Sequence, residues 1–128
     1  MYSEIVMNEF LNPSNYGVIK GASGVGKIST DDAGEIFKIY ILVEDGVIKD
    51  AQFQTFGGVV AIACSSVATK LMVGKSLDAV SRMSALNIYE VLGDVPENKM
   101  YIVQAVVNTM RAAVENYKRK AAAGAATK

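Results

Sequence analysis

Residues 35–56, EIFKIYILVEDGVIKDAQFQTF, decide the fold of this chain. Residues 35–44 are rich in β-branched and aromatic side chains, which favour extended strands. Asp45-Gly46 then supplies the kind of two-residue turn that closes a hairpin, and residues 47–56 are again strand-like. The segment therefore predicts a hairpin inside an antiparallel sheet.

The residues before this hairpin predict one helix and one further strand. Apolar side chains recur near helical spacing over residues 1–11, with Ser3 as N-cap and Asn12-Pro13 as the stop. Residues 18–29 are glycine-rich, which favours an edge strand that bends.

The residues after the hairpin predict helices only. Val60, Cys64, Val67 and Leu71 fall on one helical stripe, which predicts a core helix that ends at Gly74. The further elements predicted are helix starts at Ser76 and Ser84, a helix end at Gly93, and a long amphipathic helix from Met100 to Lys120. This order predicts an α+β fold, a three-stranded antiparallel sheet with helices packed on one face, as a single domain over residues 1–120. Residues 121–128 are expected to form a flexible low-complexity tail.

Composition argues against several kinds of partner. The 128 residues include 13 basic and 13 acidic side chains, so the net charge is zero and no long-range field attracts nucleic acid or anionic lipid. The longest apolar run, residues 59–64, is far shorter than the roughly 20 residues that cross a bilayer. A lone cysteine cannot form an internal disulfide, which fits a reducing compartment. We therefore expect a cytoplasmic protein that binds neither nucleic acid nor membrane.

Several short segments resemble the NifU/IscU-type iron-sulfur cluster scaffold family. They keep the family's order and spacing from residue 1 to about residue 117, and they are MYSE (1–4), NPSNYGVI (12–19), KIY (38–40), VEDG (43–46), FQTFG (53–57) and AIA (61–63). The resemblance implies the fold predicted above, with a cluster site at one tip of the molecule. It also implies a scaffold rather than an enzyme.

The resemblance implies which positions would hold the cluster, and these positions carry other residues here. The family uses three cysteines, an aspartate and often a histidine. The first cysteine falls on Ala33 and the aspartate on Glu35, whereas the second cysteine falls on Gly58. The histidine-cysteine pair falls on Tyr101 and Ile102. Because soft thiolates hold iron-sulfur clusters, we expect no bound cofactor, although the family binds an iron-sulfur cluster.

The leading hypothesis is a degenerate family member that serves as a binding or regulatory module. By resemblance, its partner is a cysteine desulfurase or another cluster-assembly component. The family's chaperone-recognition segment, Leu-Pro-Pro-Val-Lys, appears as VPENK at residues 95–99 and keeps one proline and Lys99. The sequence leaves the oligomeric state open.

A sulfur or metal carrier is an alternative from a different class. Asp31, Asp32 and Glu35 offer hard oxygen ligands at one loop tip, with Tyr101 facing them from the last helix and Lys99 beside the site. Solvated carboxylates in an ordinary turn explain the same composition.

Two further features carry alternatives of their own. Cys64 is a candidate sulfur carrier, but on its helical stripe it reads most simply as a small buried hydrophobic residue. The segment GASGVGK, from Gly21 to Lys27, nearly matches the sequence motif of a phosphate-binding loop. This near-match makes nucleotide binding a remote alternative. That motif needs Ser or Thr directly after the lysine, and the chain has Ile28 there.

Overall fold

The structure, a computed structural model, describes residues 2–30 and 34–126. A three-stranded antiparallel sheet with strand order β1-β2-β3 forms one of its layers. The strands are β1 (Gly24–Ser29), β2 (Ile36–Glu44) and β3 (Val47–Phe56). Asp45 and Gly46 both have positive φ, 52° and 74°, as a tight hairpin turn requires. The predicted hairpin and the antiparallel sheet are confirmed.

Strand β1 starts later than predicted, because the chain first runs from the β3 edge of the sheet to the opposite edge. The N–H of Gly17 donates to the Phe53 carbonyl at 2.8 Å, so this segment lies along the outer edge of β3. Strand β1 pairs with β2 at the opposite edge of the sheet. Residues 18–23 must connect the two edges, and the prediction of a strand from residue 18 is therefore wrong for its first half.

The helices cover the other side of the domain, as predicted. They are α1 (Glu4–Leu11), α2 (Val59–Met72), α3 (Leu77–Ser81), α4 (Ala85–Leu92) and α5 (Met100–Ala126), with a 3₁₀ turn (Glu97–Lys99) before the last. The Ser3 hydroxyl caps α1 by accepting from the Val6 N–H at 3.1 Å. Helices α2 and α5 pack against the sheet and enclose the hydrophobic core with it.

Helix α5 is longer than the sequence pattern indicated. It continues to Ala126, six residues past the end expected at Lys120. Alanine is the strongest helix former, which accounts for the continuation through an alanine-rich segment. The predicted helix end is therefore wrong, the flexibility of this segment stays a prediction, and Thr127 and Lys128 lie outside the described residues. Among residues 2–30 and 34–126, no helix combines the length and apolarity needed to cross a bilayer.

Strand β1 and helix α5 approach each other so closely that two strand positions have no room for a side chain. A Cβ added at Gly24 would lie 2.5 Å from the Ala113 carbonyl oxygen, and one at Gly26 would lie 2.3 Å from that of Thr109. These glycines belong to the near-match to a phosphate-binding loop, yet they lie in a strand that leads into another strand. Their role is close packing, and the geometry does not support the nucleotide-binding alternative.

The substitution Gly26→Ala should therefore destabilise the fold. We expect the free energy of unfolding to fall by about 1–3 kcal/mol, because the new methyl group must push α5 away from β1. Urea denaturation followed by circular dichroism measures this change. Ser29→Ala, at an exposed position of the same strand, is the control and should stay within about 0.5 kcal/mol of the parent. Equal midpoints for Gly26→Ala and the parent protein would contradict the packing argument.

Candidate functional site at the tip of the sheet

A buried carboxylate, that of Glu35, lies just before β2 at the tip of the sheet. Glu35 is 9% exposed. The Thr30 hydroxyl donates to Glu35 Oε1 at 2.6 Å, and it accepts from the Glu35 backbone N–H at 3.1 Å. The Thr30 N–H also donates to the Glu35 carbonyl at 2.9 Å. Thr30 and Glu35 thus close the loop between β1 and β2 from both ends.

Tyr101 reaches the same carboxylate from the first turn of α5. Its hydroxyl donates to Glu35 Oε2 at 3.0 Å and lies 3.3 Å from Oε1. The expectation that Tyr101 faces the loop carboxylates from the last helix is confirmed for Glu35. Asp31, Asp32 and Ala33, which the sequence placed in the same loop, lie outside the described residues.

The turn between β3 and α2 forms the third side of the tip. A Cβ added at Gly57 would lie 2.7 Å from the Ala61 side chain and 3.3 Å from Glu35 Cγ, so a glycine is required where the turn passes the carboxylate. Gly58 differs, because a Cβ there would have no atom within 4 Å. The next position on this surface, Gly58, therefore has room for a side chain but supplies none.

The sequence-predicted ligand positions are only partly brought together. Glu35 and Tyr101 are in contact, and Gly58 lies in the adjacent turn. Ile102 is 2% exposed and belongs to the hydrophobic core. The described positions thus present a carboxylate, a phenol, a bare backbone and a buried aliphatic side chain.

The charge of Glu35 is stabilised by hydroxyl groups rather than by a cation. Two salt bridges are present in the described part of the chain, Lys70–Glu9 and Arg82–Asp78, and neither includes Glu35 or Lys99. The pKa of Tyr101 is raised, first by its hydrogen bond to Glu35, then by desolvation and by the negative charge of that carboxylate. The neutral phenol can donate this hydrogen bond and the phenolate cannot, so the contact favours the neutral form of Tyr101.

Cys64 does not have the properties that a sulfur carrier needs. It is fully buried inside α2, as the stripe of apolar residues predicted. Desolvation by burial raises the pKa of its thiol to about 12, so a negligible fraction is thiolate near neutral pH. A transferable sulfur must be attacked by an accessible thiolate. The geometry therefore does not support the carrier alternative at Cys64.

The donors at the tip are oxygen atoms that are already hydrogen-bonded to one another. Iron-sulfur clusters prefer thiolates, whereas oxygen donors suit harder ions. Within residues 2–30 and 34–126, no group of three or more His, Cys, Asp or Glu side chains is arranged to hold a metal ion. The described donor set does not fit an iron-sulfur cluster.

Sequence reasoning missed Thr30, although a local signal was present. A threonine whose hydroxyl bonds to nearby backbone groups commonly closes a tight loop. Thr30 stands directly after β1 and before Asp31-Asp32-Ala33-Gly34, a segment whose composition favours a turn. That position could have indicated a loop-closing hydroxyl, but the sequence gives no sign that it also binds the Glu35 side chain.

The fold defined by this sheet and its helices is that of a NifU-like scaffold domain. The structure aligns with a TM-score of 0.75 to the N-terminal part of a nitrogen-fixing NifU-like protein from Brucella abortus, covering 92% of this chain and 94% of that one. The two are 15% identical in sequence, so this likeness concerns the fold alone.

Sequence comparison shows the family. The model of the NifU-like N terminal domain matches residues 1–124. The iron-sulfur cluster assembly scaffold protein IscU of Aquifex aeolicus is 36% identical, over 93% of this chain and 77% of that protein. The protein of the same name in Escherichia coli is 35% identical, over 93% of this chain and 95% of the other. This chain belongs to the NifU-like N-terminal domain family.

The contact between Tyr101 and Glu35 should be visible in the titration of the phenol. Nuclear magnetic resonance of tyrosines labelled at Cζ should show Tyr101 titrating above its ordinary pKa of about 10, because ionisation removes the hydrogen bond and sets two negative charges together. The hydrogen bond between Tyr101 and Glu35 makes its full contribution to folding stability below the ordinary pKa of about 10. That contribution is lost as the pH rises through the raised pKa of Tyr101.

The variant Glu35→Gln is the matched test, because it keeps the side-chain shape and removes the charge. In this variant we expect the pKa of Tyr101 to fall toward its ordinary value, because a neutral amide oxygen accepts a weaker hydrogen bond and carries no negative charge. Tyr101→Phe identifies the resonance among the 6 tyrosines of the chain. Identical titration of Tyr101 in the parent and in Glu35→Gln would show that the contact does not exist in solution.

Proposed function

We propose that this chain is a member of the cluster-assembly scaffold family that acts as a binding or regulatory module and does not itself hold a cluster. In this proposal it is not an enzyme, and its partner is a cysteine desulfurase or another assembly component. The observation that carries the proposal is the state of Glu35. The one carboxylate left at the ligand-equivalent positions already accepts hydrogen bonds from Thr30 and Tyr101.

The replaced side chains support a tip that is stable without a cluster. A metal site can contribute on the order of 10 kcal/mol to the order of its surroundings. Here Thr30 and Tyr101 connect the β1–β2 loop to α5 through Glu35. Ile102 adds burial that is worth about 1.5–3 kcal/mol for a side chain of its size. These contacts join the elements that a bound cluster would hold together in a family member that carries one.

The chemistry of sulfur delivery supports the same proposal. A desulfurase passes sulfur on when an acceptor thiolate attacks its persulfide, which breaks one sulfur-sulfur bond as another forms. The sole cysteine of this chain is buried and has a raised pKa. Such a chain can bind a desulfurase but cannot accept sulfur from it, so its effect on assembly would come from binding alone.

Anaerobic reconstitution with iron and sulfide tests the loss of the cluster. We expect the parent protein to retain no stoichiometric iron or sulfide after desalting and to show no visible absorption band, because no accessible thiolate is available. The triple variant Ala33→Cys, Gly58→Cys and Ile102→Cys should gain both, and circular dichroism must show that it folds, because Ile102→Cys shortens a core side chain. A cysteine at position 58 meets no steric obstacle at its Cβ, since a Cβ added at Gly58 has no atom within 4 Å.

The matched control is the same triple variant with serine in place of cysteine, which keeps the size of the new side chains and removes the thiolates. It should behave as the parent does. A stoichiometric cluster in the parent protein would overturn the proposal. Failure of the folded cysteine variant to bind iron would show that these positions are not equivalent to the family's ligands.

Binding to a cysteine desulfurase tests the other half of the proposal. Isothermal titration calorimetry should detect a complex, whereas labelled sulfur from cysteine should stay on the desulfurase and not appear on this chain. Cys64→Ala should leave both results unchanged, because the buried thiol takes no part. Absence of binding at high micromolar concentration, or transfer of label to Cys64, would contradict the proposed role.

A further inference from the structure

The outer face of the sheet, which the helices do not cover, carries two lysines directly opposite each other. Lys27 of β1 pairs in register with Lys38 of β2. Both side chains lie on the outer face, because the flanking Gly26 faces α5 and the flanking Phe37 is buried in the core. Two lysine side chains therefore leave the sheet from directly opposite positions on one surface.

This arrangement is unfavourable in the isolated protein. Like charges directly opposite each other on antiparallel strands destabilise a sheet. Neither lysine belongs to a salt bridge with any of residues 2–30 and 34–126. The Lys38 ammonium lies 5.3 Å from the centre of the Tyr40 ring, a contact that draws it onto the surface. Among the described residues, no carboxylate neutralises its charge.

The lysines line a shallow cleft whose other walls combine exposed aromatic and aliphatic side chains with the polar residues Gln54 and Thr55. The cleft has a volume of about 340 Å³, and its principal lining residues are Tyr16, Lys27, Ile36, Lys38, Gln54 and Phe56. Phe56 is 73% exposed and Tyr16 is 53% exposed. Among the described residues no carboxylate lines this cleft. Exposed aromatic surface with a polar rim is typical of a protein interface.

We propose that this cleft docks an acidic segment of a partner protein, with carboxylates placed on Lys27 and Lys38 and an apolar side chain against Phe56. This inference rests on the proposed role as a docking module and adds the chemistry of the partner. Carboxylates relieve the repulsion between the two lysines, and an apolar side chain covers exposed aromatic surface. A nucleic acid is the less favoured occupant, because the chain has zero net charge and the described lining of the cleft contains two cations.

The probe is a fluorescein-labelled peptide in which Glu-Asp-Glu flanks a central Leu-Phe pair on both sides. Fluorescence anisotropy should detect saturable binding to the full chain that weakens as sodium chloride is added. Lys27→Glu and Lys38→Glu should each weaken binding about tenfold or more, the factor that 1.4 kcal/mol represents. Lys75→Glu, an exposed lysine beyond α2 and outside the cleft, should change affinity by less than about twofold.

A second measurement separates a docking role from a structural one. Lys27→Gln and Lys38→Gln each remove one charge of the opposed pair. Each variant should therefore raise the melting temperature of the free protein and weaken its binding of the peptide. A purely structural pair of lysines would not give this opposite response. Chemical shift changes on adding peptide should be confined to the outer face of β1 and β2 and to residues around Phe56.

Three results would overturn the inference. They are equal peptide affinity for the parent and both charge reversals, equally tight binding of a peptide with Gln in place of every acidic residue, and tighter binding of a single-stranded oligonucleotide than of the acidic peptide. Desulfurase binding distinguishes this failure from that of the proposed function. If the desulfurase still binds and the peptide does not, the acidic docking site is wrong and the wider role stands.

Discussion

The near contact between the backbones of β1 and α5 sets the distance between the helix that carries Tyr101 and the sheet at whose tip Glu35 lies. Gly24 and Gly26 allow the helix to rest directly on the strand, because any side chain there would collide with a backbone carbonyl of α5. The height of the helix above the sheet is thereby limited by backbone atoms, which cannot adjust as side chains can. Since α5 begins at Met100, this contact also sets the position of Tyr101 relative to Glu35.

Alternation along the beginning of β2 lets two neighbouring residues serve two different surfaces. Glu35 is directed inward, to the hydroxyls of Thr30 and Tyr101, whereas Ile36 lies on the wall of the outer cleft. A buried carboxylate without a cation is costly unless its oxygens are hydrogen-bonded, and here both oxygens accept from a hydroxyl. The hydrogen bonds between Thr30 and Glu35 also position the start of β2, and with it Ile36 at the edge of the cleft.

The features that were predictable from sequence are those determined by local pattern. The hairpin around Asp45-Gly46 and the burial of Cys64 follow from periodicity and turn chemistry, which act between near neighbours. The start of β1 was not predictable, because it depends on a crossing of the sheet that begins at Gly17. The contact between Thr30 and the Glu35 side chain, like the pairing of Lys27 with Lys38, depends on tertiary geometry or strand register, which a single sequence does not reveal.

The proposed loss of the cluster and the proposed docking of a partner depend on different residues, and this separation makes them physically compatible. The proposed loss concerns Gly58, in the turn before α2, and Ile102, in the core, whereas the charges of the cleft come from β1 and β2. The two surfaces meet at Phe56, which lines the cleft and is followed directly by Gly57 beside Glu35. A partner seated on the cleft would thus lie next to the tip, where a family member with thiolates would present its cluster. Because the proposed docking surface does not need thiolates, a chain without them could occupy the same place on the partner.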